Sequence, residues 1–195
     1  MEQTSSVAHD GTEAELVSRI LAGETALFEE VVRRHQDMVY GITSKFLGSG
    51  SDAEDAAQEV FLRAYRNLQG FKRQSKLSTW LYRIAYNLCT DRMRARRLPG
   101  RQAESFDEHA HADSRSAPEE VTLAAERQRS VQHAVDGLQQ IYKEVVILHY
   151  YQGMSMEETA AVIGVPVKTV ETRLYRARKA LRARLDAVEA SPGKG

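Results

Sequence analysis

Residues 155–185 constrain the fold more than any other stretch of the chain. Ser155 and Glu158 have the spacing of a capping box, which opens a helix by reciprocal hydrogen bonds. Gly164 tolerates the positive φ that ends a helix, and Pro166 suits the start of the next one. The pattern predicts two helices joined by a tight turn, which is a helix-turn-helix.

The second of these helices combines an apolar stripe with a basic side. The stripe consists of Val170, Leu174, Ala177, Leu181 and Leu185. Polar and basic residues off the stripe are Lys168, Thr172, Arg173, Arg176, Lys179 and Arg182. Such a helix can pack on its own domain and still offer cations to the phosphates of a DNA groove. The alternative is a basic face that is merely solvated.

Charge is distributed unevenly along the chain. Lys plus Arg and Asp plus Glu number 27 each, so the formal net charge is zero. From Arg63 to Arg101, however, the only acidic residue is Asp91, whereas residues 104–120 are acidic apart from Arg115 among their charged side chains. Two basic segments therefore flank an acidic one, and the basic segments favour a polyanionic partner.

Composition excludes several classes of protein. Cys89 is the only cysteine, which excludes an internal disulfide and a multi-cysteine zinc site, and its helical setting predicts a buried thiol. The amino terminus lacks the basic start and apolar core of a signal peptide, and the apolar run at 145–151 is too short to span a bilayer. We expect a cytoplasmic protein without membrane insertion.

Apolar residues recur at helical spacing on both sides of the acidic segment, and no alternating strand pattern is found. We predict an all-α protein with two small helical domains, residues 13–98 and 122–188, joined by a flexible acidic linker, residues 99–121. A second capping box is predicted at Ser51 and Glu54.

Residues 52–65 and 77–87 resemble conserved region 2 of the extracytoplasmic-function (ECF) sigma factors, and residues 155–185 resemble their region 4. The resemblance extends from Thr25 to Leu185. It implies a subunit of bacterial RNA polymerase that binds the core enzyme, recognises two promoter elements and traps the opened strand. No enzymatic activity, cofactor or metal ion is implied.

The resemblance assigns a polymerase contact to the helix that is predicted to begin near Ser51. This contact, with the coiled coil of the beta-prime subunit, would involve Asp55, Gln58, Glu59 and Arg63. The beta flap is the second polymerase contact that the resemblance implies. For Asp52 and Glu54, simple stabilisation of the helix start is an equally good interpretation.

The resemblance also implies capture of the unpaired minus-10 strand, which needs a base pocket and cations for the separated backbone. The pocket and its neighbouring cations would be formed by Phe71, Lys72, Arg73, Lys76, Ile84 and Asn87. The nearby duplex backbone would be held by Arg92, Arg94, Arg96 and Arg97. For Trp80 we favour core packing over base stacking.

The start of the second helix of the helix-turn-helix is expected to enter the major groove at the minus-35 element. The candidates are Lys168, Thr169, Glu171, Thr172, Arg173, Tyr175, Arg176 and Lys179. Glu171 departs from the family, in which a basic residue is common at this place. A carboxylate can accept a hydrogen bond from cytosine N4 but is repelled by phosphate.

Other interpretations stay open at this point. The acidic linker resembles the family's connector toward the RNA exit path, and an unspecific solvated tether is the alternative. An anti-sigma protein is a common partner in the family and would cover the surfaces named above.

A helix-turn-helix regulator with an amino-terminal sensing or dimerisation domain would explain residues 155–185 alone. A metal-dependent hydrolase is disfavoured because His109 and His111 lack a second ligand cluster.

Overall fold

A computed structural model of the chain describes residues 12–73, 75–96 and 123–189. These ranges are largely helical and contain no β-strand, which confirms the all-α prediction. The predicted linker at 99–121, with His109 and His111, lies outside the described residues, and so does Arg97.

The amino-terminal module consists of four α-helices and two short 3₁₀ turns. The helices are α1 (Glu13–Leu21), α2 (Phe28–Leu47), α3 (Ser51–Asn67) and α4 (Leu77–Arg96), and the turns are Thr25–Leu27 and Leu68–Gly70. Helices α2, α3 and α4 pack against one another. Their buried stripes supply Ile42, Val60 and Leu81, all fully buried, so hydrophobic burial holds the three helices together.

The carboxy-terminal module also consists of four α-helices, with a π-helical segment between the second and third. Its elements are α5 (Leu123–Asp136), α6 (Gln140–Val146), the π segment Ile147–Tyr151, α7 (Met156–Ile163) and α8 (Val167–Glu189). Val145, Ala160, Val170 and Leu174 form one small core of this module. Val135, Leu138, Val146 and Ala177 form another, so both cores depend on α8.

The capping box predicted at the start of α7 is confirmed. The Glu158 backbone N–H donates to Ser155 Oγ at 3.1 Å, and the Ser155 N–H donates to the Glu158 carboxylate at 3.0 Å. Gly164 ends α7 with φ of 78°, in the left-handed region. These local bonds fix the angle at which α8 follows α7.

The capping box predicted at Ser51 is wrong. Helix α3 begins at Ser51 itself, its cap position is Gly50 with φ of 121°, and among the described residues no side chain caps this end. The physical reason is that a capping residue must precede the helix with non-helical dihedral angles. Gly50 adopts such a conformation one residue early, which leaves the Ser51 hydroxyl inside the first turn.

The two modules share a core. Ile147, Leu148, Met154 and Val162 of the carboxy-terminal module belong to the same buried cluster as Leu81 of the amino-terminal module. Helix α4 packs against α7 at this junction. The position of the helix-turn-helix relative to α4 is therefore fixed by apolar burial as well as by polar contacts.

Cys89 lies in α4 and is fully buried, as predicted. Burial raises the pKa of its thiol to about 12, so the thiolate is disfavoured. None of the helices in the described ranges combines the length and the apolar character that crossing a bilayer requires.

Candidate nucleic-acid interface

Helix α8 is anchored by one face and exposed on another. Val170, Leu174 and Ala177 are buried against the rest of the carboxy-terminal module. The predicted minus-35 residues that are exposed are Lys168, Glu171, Thr172, Tyr175, Arg176 and Lys179, whereas Thr169 and Arg173 are half-buried. The Tyr175 side chain is 64% exposed, so its ring is free for contact with another molecule.

Three of the exposed side chains on α8 already have partners within the first turns of the helix. Lys168 Nζ lies 3.1 Å from the Glu171 carboxylate. The Thr172 hydroxyl donates to the Lys168 carbonyl oxygen at 2.9 Å. Lys168 and Glu171 therefore partly neutralise each other, a surface pairing of small energy that DNA can replace.

Arg173 is turned toward the interior of the protein. Its Nη1 lies 3.9 Å from the carboxylate of Glu144, which is itself buried. The Tyr86 hydroxyl of α4 donates to the same carboxylate at 3.1 Å. Burial raises the pKa of Glu144, although the hydrogen bonds from Tyr86 and Gln140 and the charge of Arg173 act in the opposite direction. Arg173 thus contributes to an internal polar cluster.

The loop before α4 contains one buried aromatic residue and several cations. Phe71 is buried, and its ring centroid lies 5.3 Å from that of Trp80. Trp80 is partly buried and packs on the core, in agreement with the interpretation that we favoured. Lys72 and Arg73 are exposed, and Arg73 has a φ of 57° that only a few per cent of non-glycine residues adopt.

Ile84 and Asn87 are one turn apart on α4 and so lie on the same side of that helix. Asn87 is exposed and Ile84 is half-buried. This arrangement offers an amide next to an apolar surface. An amide with free donors and acceptors can hydrogen-bond the edge of a base.

Two basic side chains of α4 are paired with residues of α3. Arg92 Nη2 lies 2.7 Å from the Glu59 carboxylate, and Arg92 Nη1 donates to the Asp52 carbonyl oxygen at 3.2 Å. Arg96 is paired with the Asp52 carboxylate. These bonds join α3 to the carboxy-terminal half of α4 and hold both guanidinium groups on one surface.

The predicted polymerase residues divide into two pairs. Asp55 and Gln58 are exposed on α3. Glu59 accepts a hydrogen bond from Arg63 Nε at 2.9 Å in addition to the one from Arg92. The hydrogen bond from Arg92 is the main reason that the pKa of Glu59 is lowered, with Arg63 contributing. The structure therefore brings together residues that sequence analysis assigned to separate polymerase and DNA contacts.

Tyr82 and Tyr86 were missed by sequence analysis. The Tyr82 hydroxyl donates to Gln152 Oε1 at 2.9 Å, and Tyr86 reaches Glu144 as described above. Their spacing of four residues puts both phenols on one face of α4. The pattern marks a common face, but only the three-dimensional structure shows that the second module covers it.

A helix-turn-helix with an exposed basic face, joined through a shared core to a second basic helical module, defines a two-module DNA-binding protein. Residues 31–98 match the family Sigma-70 region 2, and residues 128–181 match Sigma-70, region 4. The chain belongs to the ECF RNA polymerase sigma factors of the sigma-70 family.

Curated relatives place the chain in the same family. The chain is 33% identical to the ECF RNA polymerase sigma factor SigW of Bacillus subtilis over 87% of its own length and 94% of the relative. It is 35% identical to the ECF RNA polymerase sigma-E factor of Escherichia coli K12, over 87% and 92% of the two chains. The solved structure of CnrH in complex with the cytosolic domain of CnrY is also similar, with 28% identity, a TM-score of 0.66 and coverage of 89% and 96%.

The protein is therefore a transcription initiation factor and has no enzymatic role. It binds core RNA polymerase, in the cell interior, and directs promoter recognition and initiation. The alternative of an ordinary helix-turn-helix regulator is set aside because it does not explain the match of residues 31–98 to Sigma-70 region 2.

Proposed function

We propose that the two modules divide the promoter between them. The amino-terminal module, residues 13–98, captures the minus-10 element, and the carboxy-terminal module, residues 122–188, reads the minus-35 element. The observation that carries this proposal is the presence in one chain of two separately matched sigma regions, each with an exposed basic or polar surface. The intervening residues 99–121 act as the connector.

In this proposal Asn87 and Ile84 form the wall of a pocket for a base that has left the helical stack. Unstacking a base costs a few kcal/mol, so contacts to the flipped base must compensate for that cost. Asn87 offers an exposed amide and Ile84 an apolar contact. Lys72 and Arg73, exposed on the preceding loop, supply cations for the separated strand.

Promoter opening tests this pocket. The variant Asn87→Ala is added with core polymerase to a promoter that carries 2-aminopurine in the minus-10 element. We expect the increase in fluorescence on opening to be about tenfold smaller than with the wild type, because roughly one hydrogen bond to a base is lost. The control is Gln36→Ala, which removes an exposed amide from α2. Equal opening by both variants would refute the role of Asn87.

The proposed reader of the minus-35 element is the exposed side of α8. Arg176, Tyr175 and Lys179 project from the anchored helix and have no described partner that would have to be displaced. Arg176→Ala is expected to weaken binding of the polymerase holoenzyme to promoter DNA and to change the slope of log affinity against log salt. Arg178→Ala is the control, because Arg178 is also exposed but flanks the buried stripe on the other side.

Glu171 is proposed to favour cytosine at one position of the minus-35 element. Its carboxylate is exposed and paired only with Lys168 among the described residues. Cytosine N4 donates a hydrogen bond, whereas phosphate repels a carboxylate. Selection of binding sites from a randomised duplex is the test: Glu171→Gln is expected to relax the preference at one position by about tenfold.

The polymerase contact is proposed to lie on α3. Asp55 and Gln58 are exposed there and would bind the coiled coil of the beta-prime subunit. Glu59 and Arg63 lie beside them. The carboxy-terminal module would bind the beta flap. Asp55→Ala is expected to reduce co-purification with core polymerase, and Glu29→Ala, a matched change on α2, is expected to leave it unchanged.

We also propose a cytoplasmic location and an anti-sigma partner. The related protein CnrH is seen in complex with the cytosolic domain of CnrY, and this chain covers 96% of that CnrH chain. A partner of this kind would act by covering the surfaces of α3, α4 and α8 named above. Capture of a cytoplasmic domain by the full chain, in competition with core polymerase, tests the partner, and fractionation of cells tests the location.

A further inference from the structure

Helix α1 lies against the segment that leads from α3 to α4. It packs on the 3₁₀ turn that precedes the loop, and its buried side chains belong to the same apolar cluster as Leu68 and Phe71. These side chains are Leu16, Val17 and Ile20. A helix of nine residues is marginal in isolation, so the orientation of α1 is set by this burial.

A hydrogen bond joins α1 to the loop. Arg73 Nη2 donates to Ser18 Oγ at 2.8 Å. The Ser18 hydroxyl itself donates to the Ala14 carbonyl oxygen at 2.8 Å, so its proton is used within α1 and a lone pair is left for the guanidinium. Ser18 is half-buried and Arg73 is exposed. The bond therefore fixes a solvent-facing cation to a helix that is anchored in the core.

The partner of Arg73 differs in charge from that of Lys76, three residues further along. Lys76 is paired with the Glu158 carboxylate, which opposes its positive charge. A hydroxyl carries no net charge, so Ser18 orients Arg73 without cancelling its positive field. A guanidinium has five N–H donors, and one hydrogen bond to Ser18 leaves the others for the oxygens of a phosphate.

The backbone at Arg73 also depends on support from its surroundings. Its φ of 57° lies in the left-handed region, which a non-glycine residue keeps only where neighbouring contacts hold it. The residues that match Sigma-70 region 2 begin at 31, so α1 precedes them. The bond to Ser18 thus links the loop to a helix outside the matched region.

We propose that Ser18 is a positioning residue for promoter opening, whose hydroxyl holds the Arg73 guanidinium beside the path of the unpaired minus-10 strand. The inference rests on the proposed capture of that strand by the cations of this loop, and it adds α1 to the elements that capture requires. Without the hydroxyl, the Arg73 side chain keeps more rotamers in the free protein. Ordering it on a phosphate then costs more conformational entropy, which weakens binding of the strand.

Binding of the holoenzyme, assembled from core polymerase and the full chain, to a single strand tests this role. The probe is an end-labelled non-template oligonucleotide that spans the minus-10 element of a promoter opened by the wild-type holoenzyme. Ser18→Ala is expected to weaken binding about fivefold, the loss of roughly one hydrogen bond. Ser18→Thr keeps a hydroxyl and is expected to bind as the wild type does.

The salt dependence of the same binding reports whether a phosphate contact is affected. Arg73→Ala removes one such contact and is expected to make the slope of log affinity against log salt shallower by about 0.7. Ser18→Ala is expected to change the slope in the same direction. An unchanged slope for Ser18→Ala beside a shallower one for Arg73→Ala would overturn the positioning role.

A double-mutant cycle separates positioning from a general loss of structure. If Ser18 acts through Arg73, Ser18→Ala should have no further effect on a chain that already carries Arg73→Ala. Equal weakening in both backgrounds would overturn the inference. Ser44→Ala is the matched control, because Ser44 is also half-buried and its hydroxyl donates within its own helix, to the Gly41 carbonyl oxygen at 3.1 Å. It is expected to leave strand binding unchanged.

These measurements also separate the inference from the proposed function. Weaker binding with Arg73→Ala and unchanged binding with Ser18→Ala would refute positioning and leave strand capture by the loop intact. Unchanged binding with both variants would refute positioning together with the proposed role of Arg73. Opening with Asn87→Ala tests the base pocket independently of either. Circular dichroism of each variant shows whether its helices are intact.

Discussion

The hydroxyl of Tyr86 lies 3.1 Å from the carboxylate of Glu144 and joins α4 to α6 across the junction of the two modules. Glu144 is only 6% exposed, and its other polar neighbours are Gln140 and Arg173. A buried carboxylate is costly to ionise unless its partners compensate. The raised pKa of Glu144 indicates that compensation is incomplete.

The free energy of unfolding is expected to depend on pH through the ionisation of Glu144. The folded-state pKa of Glu144 is raised above the ordinary 4.5. The contribution of Glu144 to the free energy of unfolding is therefore fully present below pH 4.5 and is lost as the pH rises through the folded-state pKa. Glu144→Gln keeps an acceptor for Tyr86 and removes the ionisation, so its free energy of unfolding relative to wild type should rise from pH 4 toward neutrality. Urea titrations at several pH values measure this, and Glu29→Gln, an exposed carboxylate, is the control.

Ser155 and Ser51 look alike in sequence, but replacing them with alanine is expected to change the free energy of unfolding by different amounts. Ser155→Ala removes a capping hydrogen bond of 3.1 Å and should lower the free energy of unfolding by about 1 kcal/mol. Ser51→Ala should change it by less than about 0.5 kcal/mol, because Ser51 lies within α3 and does not cap it. Equal losses in chemical denaturation would contradict the assignment of Gly50 as the cap.

Gly164 is expected to be intolerant of a side chain for conformational reasons. A Cβ at this position would meet no atom within 4 Å, but φ of 78° is strained for alanine. Gly164→Ala should therefore cost about 1 kcal/mol in thermal or chemical unfolding. Gly70→Ala is the matched case, with equal space and no positive φ, and is expected to be neutral or slightly stabilising.

The bond between Arg92 and Glu59 is expected to be modest in energy. The Glu59 carboxylate is shared by Arg92 at 2.7 Å and Arg63, and both side chains of the Arg92–Glu59 pair are partly exposed. A double-mutant cycle of Arg92→Ala and Glu59→Ala should give a coupling of about 0.5 kcal/mol, present above pH 4.5 and lost at lower pH because the pKa of Glu59 is lowered. A coupling near zero at neutral pH would show that the pair is replaced by water.

Local signals in the sequence were sufficient for the helices and for the helix-turn-helix. Capping at Ser155 and the positive φ at Gly164 depend on neighbours within a few residues, so their pattern is readable directly. The start of α3 was misplaced because Gly50, and not Ser51, takes the cap position, so the helix begins one residue earlier than the serine pattern predicts.

Contacts between distant residues were not readable in this way. Tyr86 and Glu144 are 58 residues apart, and Arg92 and Glu59 are 33 apart. Their pairing depends on how α4 packs against α3 and α6, which no local period specifies. The base-reading roles of Asn87 and Arg176 remain predictions, since promoter DNA alone reveals which exposed groups it meets.

The burial of Ile147 and Met154 in the amino-terminal core restricts how this chain can be rearranged by recombination. A chimera that joins its carboxy-terminal half to the first half of another sigma factor would place these side chains against an unmatched surface. Such hybrids should precipitate or bind chaperones unless the first half of the other sigma factor has a groove of the same shape. The two halves are therefore expected to be inherited together.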